Sequence, residues 1–274
     1  MIKSIHHLNC GTMCPFCKRF VQGKGSWLST ATLVCHCLLI ETDHDLILVD
    51  TGYGTKDIEN PQDRLGSLSG AIVRPILSLE ETAIHQVQKL GYDPKDISRI
   101  IPTHLDLDHI GGLSDFPDAK VHVHQPELQQ ILSPTWFDKL RFRKQQLAHD
   151  PLWVVHDKPD QTWFGFEAIQ PILGNSDILM IPLPGHTKGH VGIAVKTQDE
   201  WLLHCGDAYY HHSQVSQHGK TPAGLKLFTN ITRSIPRAHQ VSLDRLRQLY
   251  QQHQQDIRFF CAHDPQELSS FTHS

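Results

Sequence analysis

Apolar residues along the chain fall mostly in short runs, alternating or unbroken, each closed by a polar or glycine-bearing turn, a pattern that predicts strands. Residues 2–9, Leu33–Glu41 and Leu46–Asp50 read as three strands, the last two joined at Thr42-Asp43-His44. Asp96–Pro102 reads as a buried strand and Lys120–His124 as an alternating one. Residues 166–173 and 178–183 pair around Gly174-Asn175, Val191–Lys196 pairs with Trp201–Cys205, and Ile257–Cys261 is the last strand.

A helical period replaces the strand period in few places. Ser78 with Glu81 three residues on predicts a capping box, opening a helix to about Leu90 with Ala83, Ile84, Val87 and Leu90 on one face and Gly91 ending it. Pro126–Leu132 predicts a short helix begun by proline, and Ser242 to about His253 a longer one presenting Leu243, Leu246, Leu249 and Tyr250. Residues 55–77 keep no period and carry Pro61, Gly66, Gly70 and Pro75, so they read as a long loop with one helical turn. Residues 133–165 scatter Trp136, Phe137, Phe142, Trp153, Trp163 and Phe164 among charges and prolines, which predicts a partly helical insertion able to cover a site. Strands then helices, repeated once, predict two sheets packed face to face with helices outside, in one α+β domain spanning 1–274.

Composition narrows the function. The 274 residues carry a net charge of −4 and no long basic run, against a nucleic-acid partner. No stretch approaches a membrane span, and the N-terminus lacks an apolar signal core, so a cytoplasmic protein is expected. Seven cysteines, an odd number spread from Cys10 to Cys261, do not make a disulfide framework. The 21 histidines raise the expectation of a bound metal.

The chemistry concentrates at turns that follow strands. Thr103-His104-Leu105-Asp106-Leu107-Asp108-His109-Ile110-Gly111-Gly112 places two histidines and two aspartates within six positions. In extended backbone alternate side chains share a side, so His104, Asp106 and Asp108 converge and His109 joins as the chain turns. Pro184-Gly185-His186-Thr187-Lys188-Gly189-His190 follows a strand, and its glycine lets the backbone turn while His186 points inward. His190 is expected to orient a ligand rather than bind metal. Asp207 ends another strand and could bridge two ions with its two oxygens, and His263 ends the last. The expected ligands are His104, Asp106, Asp108, His109, His186, Asp207 and His263, enough for two metal ions with a bridging water.

These turns, in this order and with Asp50-Thr51-Gly52 before them, resemble the metallo-β-lactamase superfamily over nearly the whole chain. The resemblance implies a four-layer αββα sandwich with a dinuclear site at one edge of its sheets. It implies His104, Asp106 and His186 at the first metal, Asp108, His109 and His263 at the second, and Asp207 between them. One residue departs: the family's usual histidine is here Asp106, whereas flavodiiron members carry glutamate. A carboxylate there makes the first site harder, so iron, manganese or cobalt competes better with zinc, the metal otherwise expected.

Two such ions generate hydroxide at neutral pH and polarise a carbonyl, so metal-assisted hydrolysis is the expected reaction, with Asp108 passing a proton to the leaving oxygen. Tyr210, three residues beyond Asp207, matches a tyrosine of the N-acyl homoserine lactonases and is expected to donate to the oxyanion, a packing role being the alternative. The expected small-molecule substrate is a lactone or ester, an N-acyl homoserine lactone among the candidates. A thioesterase or glyoxalase II-like hydrolase, using Lys139, Arg141, Arg143 and Lys144 as a basic patch, is the runner-up beside a β-lactam hydrolase. A non-enzymatic metal-binding or redox-sensing protein is the remaining alternative, from Cys10, Cys14 and Cys17 with Cys35 and Cys37. The loop 55–77 and the segment around Met13 are, by analogy with relatives, where a homodimer would form.

Overall fold

A computed structural model of the chain describes residues 1–172 and 174–272. The first sheet contains β1 (Ile2–Met13), β2 (Leu33–Thr42), β3 (Leu46–Val49), β4 (Pro75–Ile76), β5 (Ile97–Ile101), β6 (Lys120–His124) and β7 (Leu152–His156), in the order β4-β1-β2-β3-β5-β6-β7. A hairpin, β8 (Gln161–Trp163) and β9 (Phe166–Ala168), leads to the second sheet. That sheet runs β10 (Ile178–Pro182), β11 (Val191–Lys196), β12 (Trp201–His204) and β13 (Ile257–Phe260) in sequence order.

Both sheets are covered on two faces, which is why their central strands read as nearly unbroken apolar runs. Along β2, Leu38 and Ile40 turn toward the second sheet and meet Ile178, Met180, Ile193, Val195 and Phe260. The alternate residues Cys37 and Leu39 face outward, into a cluster with Val87 of the helix Ala83–Lys89 and Ile131 of the helix Gln125–Leu132. The helix Pro236–His253 lays Leu243, Leu246 and Leu249 on the outer face of the second sheet. The layers are therefore helix, sheet, sheet, helix, the αββα sandwich. Each aliphatic side chain so buried contributes about 1.5–3 kcal/mol. No helix of the described residues is long and apolar enough to cross a membrane.

Several expected boundaries shift. The helix expected from Ser78 begins at Ala83, capped by Thr82, whose side chain accepts from the His85 N–H. Ser78 instead bonds the exposed Glu80 within a short 3-10 turn, and Leu90 is exposed. The long helix opens at Pro236 rather than Ser242, because proline at its first position suits a helix start. Strand β1 continues past residue 9 to Met13, pairing with β2 and β4 across a register shift. The strand expected over 166–173 is observed as Phe166–Ala168, and its last residue, Leu173, lies outside the described residues.

Residues 55–77 hold three short helices, Thr55–Glu59, Pro61–Leu65 and Ser67–Val73, in place of a loop. Local periodicity is absent because a tertiary contact organises them: buried Arg64 donates to Asp57 at 2.6 Å and to the Gly111 carbonyl at 3.0 Å. Residues 133–165 also divide. Leu152–His156 is the edge strand β7, parallel to β6, while the turn Asp138–Arg141 projects toward the sheet edge described next.

Candidate metal centre

The ligand-bearing turns follow the C-terminal ends of β3, β5, β10, β12 and β13, which bring their residues to one edge of the sandwich. Strands β3 and β5 are parallel, as are β12 and β13, so each pair delivers its next residues on the same side. After β5 the chain bends at Thr103 and His104, is extended at Asp106 (φ −73°, ψ 159°) and then winds into the single turn Leu107–Ile110. That change of backbone sends Asp108 and His109 into a second cluster beside the one begun by His104 and Asp106. At Gly185 (φ +139°) the chain passes so close to His239 that an added Cβ would lie 2.1 Å from its backbone nitrogen, and this turn delivers His186.

Every residue expected as a ligand lies at this edge. His104, Asp106, His186 and Asp207 form one group, and His109, Asp207 and His263 another, with Asp108 beside His263. Tetrahedral coordination with bonds of about 2.0–2.1 Å to nitrogen or oxygen needs ligand separations of about 3.4 Å. In the first group His104 Nε2 is 3.2 Å and His186 Nε2 2.9 Å from Asp106 Oδ2, and both face Asp207 Oδ2, at 3.9 and 3.4 Å. In the second, Asp207 Oδ1 lies 3.4 Å from His109 Nε2 and 3.0 Å from His263 Nε2, while Asp108 Oδ2 is 3.6 Å from His263 Nε2. The two oxygens of Asp207 thus face different groups. His104 Nε2, His109 Nε2 and Asp207 Oδ1 are buried without a hydrogen-bond partner. Buried polar atoms left without a partner are costly unless something binds them, so the donor set fits two divalent cations.

The charge balance points the same way. Asp50, Asp106, Asp108 and Asp207 converge with one guanidinium, Arg141, among them. Burial works against the charged form of Asp207, but the neighbouring His263 and His109 outweigh it and hold its carboxyl well below the usual range. Burial likewise opposes charge on His109, yet Asp207, Asp50 and Asp108 push its pKa well above the ordinary value, and that of His263 is raised by Asp207. Metal binding at these imidazoles therefore releases protons.

The far side of each ring is also engaged. His109 Nδ1 donates to Asp50 Oδ2 at 2.9 Å, and His263 Nδ1 to the Val34 carbonyl at 2.7 Å, leaving both Nε2 atoms toward the site. His104 Nδ1 lies 3.0 Å from Thr103 Oγ1. His190 is not presented as a ligand: its Nδ1 donates to the Leu183 carbonyl, and its Nε2 accepts the Asp207 N–H at 3.0 Å. Tyr210 is buried with its hydroxyl 3.3 Å from both His186 Nδ1 and Thr232 Oγ1.

Three residues at the site were beyond sequence reasoning as functional ones. Asp50 stood only as a turn signature, yet its carboxylate accepts from the Thr103 N–H, the Thr103 hydroxyl and His109. Glu127 accepts the N–H of Leu105 at 2.9 Å and of Gly189 at 3.0 Å, tying two ligand turns together. Its signal, an acid in the first turn of a helix, is common to many surfaces. Arg141 belongs in sequence to a basic run, but its side chain enters the site. Its Nε donates to Asp106 Oδ1 at 2.7 Å, its Nη2 to Asp106 Oδ2, and its Nη1 to the carbonyls of His186 and Thr232. The cysteines are free, and Cys10, Cys14 and Cys17 belong to no candidate metal cluster among the described residues. Cys35 is grouped with Asp108 and His263.

An αββα sandwich with paired His/Asp clusters at one edge defines a metallo-hydrolase. Residues 31–251 match the family model of the metallo-beta-lactamase superfamily, and the chain belongs to that superfamily. It is 38% identical over 266 residues to a probable metallo-hydrolase of Mycobacterium tuberculosis, covering 95% of this chain and 80% of the relative. An N-acyl homoserine lactonase of Rhizobium radiobacter is 24% identical over 229 residues, 82% of this chain and 79% of that one. Among solved structures, an N-acyl homoserine lactone hydrolase with N-hexanoyl-L-homoserine at its catalytic metal centre superposes with a TM-score of 0.74 at 20% identity, over 98% of this chain and 96% of that one. A dizinc quorum-quenching lactonase gives a TM-score of 0.61 at 18% identity, over 97% and 90%.

Proposed function

We propose that this metallo-hydrolase opens a lactone or ester, an N-acyl homoserine lactone being the leading candidate, with two divalent cations held at the site. The observation carrying the reading is Asp207, whose two oxygens face two separate ligand groups. His104, Asp106 and His186 would hold the first cation and Asp108, His109 and His263 the second. When bound, such a pair supplies a nucleophilic hydroxide and polarises the scissile carbonyl.

The chain's own residues then divide the remaining work. Asp108 is the more accessible carboxylate of its group, its side chain 21% exposed against 5% for Asp207, so it can reach a leaving oxygen and deliver a proton. Asp50 and the Val34 carbonyl hold His109 and His263 with Nε2 inward. Tyr210, expected from the sequence to donate to an oxyanion, has its hydroxyl between His186 Nδ1 and Thr232 Oγ1, which suits orienting His186. Support for a lactone in particular comes from the lactonases among the relatives and structural neighbours. Zinc is the leading metal, with iron, manganese or cobalt as competitors at the Asp106 site, where a carboxylate makes the ligand set harder.

A panel of acyl-homoserine lactones, aryl esters, thioesters, phosphodiesters and a β-lactam tests the reading. Turnover of lactones, abolished by a chelator and by Asp207→Ala, is expected. Turnover confined to another class would overturn lactone specificity.

A further inference from the structure

The two halves of the centre differ in what already occupies their lone pairs. In the second group His109 Nε2 and Asp207 Oδ1 have no hydrogen-bond partner. In the first group His104 Nε2 likewise has none, but His186 Nε2 has two, Arg141 Nη2 at 2.6 Å and Asp106 Oδ2 at 2.9 Å. A guanidinium nitrogen can only donate, so the Arg141 contact takes up the one lone pair that Nε2 carries in the ring plane. That lone pair can accept from the guanidinium or bind a cation, not both. The same Nη2 also bonds Asp106 Oδ2, and Nε bonds Asp106 Oδ1, so both oxygens of the unusual aspartate are engaged by one fork. Arg141 is anchored besides on the carbonyls of His186 and Thr232, at 3.0 and 2.8 Å.

We propose that Arg141 is a resident competitor for the first metal, so that the centre loads unequally: the second site fills first, and the first fills only as the guanidinium withdraws from His186. Asp106 is then the counter-charge that holds Arg141 in place, and the pair acts as a gate on metal stoichiometry. A bound cation would stand close to the displaced guanidinium, and like charges repel in a poorly solvated site. Lone-pair competition and this repulsion both weaken the first site selectively.

The inference rests on the dinuclear reading above, and its test separates the two. Metal-free protein is titrated with zinc against a chromophoric chelator, and with cobalt followed by its visible absorption, with no substrate present. Wild type is expected to bind in two steps whose affinities differ by about 10- to 100-fold, the range spanned by one charge-assisted hydrogen bond. Arg141→Met, which keeps a long side chain without the fork, should tighten the weaker step and bring the two together. Asp106→His, which removes the anchor and supplies an imidazole, should do the same and carries the test if Arg141→Met does not fold, as judged by circular dichroism. Two equally tight steps in wild type, or an unchanged weak step in both variants, would overturn the gate while leaving the dinuclear reading standing. Absence of any tight zinc binding in wild type and variants would sink both.

Discussion

Asp50→Asn isolates the electrostatic support of the second metal site from its geometry. Asp50 lies in the left-handed region (φ 57°), which asparagine tolerates as readily as aspartate, so the backbone has no reason to move. The carboxylate accepts three hydrogen bonds, from the Thr103 N–H at 2.7 Å, the Thr103 hydroxyl at 2.9 Å and His109 Nδ1 at 2.9 Å. An amide keeps one acceptor, which serves Thr103, and presents an NH2 to His109. Two donors then face each other unless His109 adopts the other tautomer, which puts a proton on Nε2 and removes the metal-facing lone pair. Loss of such a supporting carboxylate lowers metal affinity about 10- to 100-fold, or about 1.4–2.7 kcal/mol. Folding stability should fall by about 1–3 kcal/mol, the cost of a buried mismatched donor. Competitive chelator titration measures the first quantity and urea unfolding of the metal-free protein the second. Thr103→Val, which removes the hydroxyl bond and leaves His109 Nδ1 on a carboxylate, should retain the affinity of the second site, its cost falling on the first, where Thr103 Oγ1 lies 3.0 Å from His104 Nδ1. If Asp50→Asn binds the tighter zinc ion as wild type does, Asp50 does not set the His109 tautomer and the reasoning fails.

Two further outcomes follow from the surroundings of the centre. Tyr210→Phe removes the hydroxyl from His186 Nδ1, so a weakening of the first metal by about tenfold is expected together with a similar fall in kcat/KM; a fall in kcat of about a hundredfold or more with unchanged metal affinity would instead mark Tyr210 as an oxyanion donor. Glu267 is buried, and burial, reinforced by Asp264, raises its carboxyl pKa from 4.5 to about 8, where the Cys261 N–H and the Tyr209 hydroxyl donate to it. Its folded state keeps a proton that the unfolded chain releases, so this contribution is complete below pH 4.5 and is lost as pH rises toward about 8. Glu267→Gln should flatten that decline in the melting temperature between pH 5 and 8.5, and an unchanged slope would refute it.

Sequence and tertiary structure divide cleanly over this molecule. The strands were legible because each buried run is set by local alternation, and the ligand turns because four donors crowd into residues 104–109. Even the oddity of the site, Asp106, is visible in the string of residues. What Asp106 does was not visible, because its partner is 35 positions away on a turn that reads as solvated charge. The three helices of residues 55–73 were missed for the same reason, since Arg64 reaches Asp57 and the Gly111 carbonyl rather than its periodic neighbours. Near residue 80 the sequence offers two chemically competent caps, Ser78 and Thr82; burial of Ala83 and Val87 against the sheet selects Thr82. Local sequence thus determined which groups are present and which strands carry them to the sheet edge. Which lone pairs stay open there, and which are taken by Arg141, Asp50 and Tyr210, was decided by tertiary structure, because a hydrogen bond's partner is fixed by distance in space and not by distance along the chain.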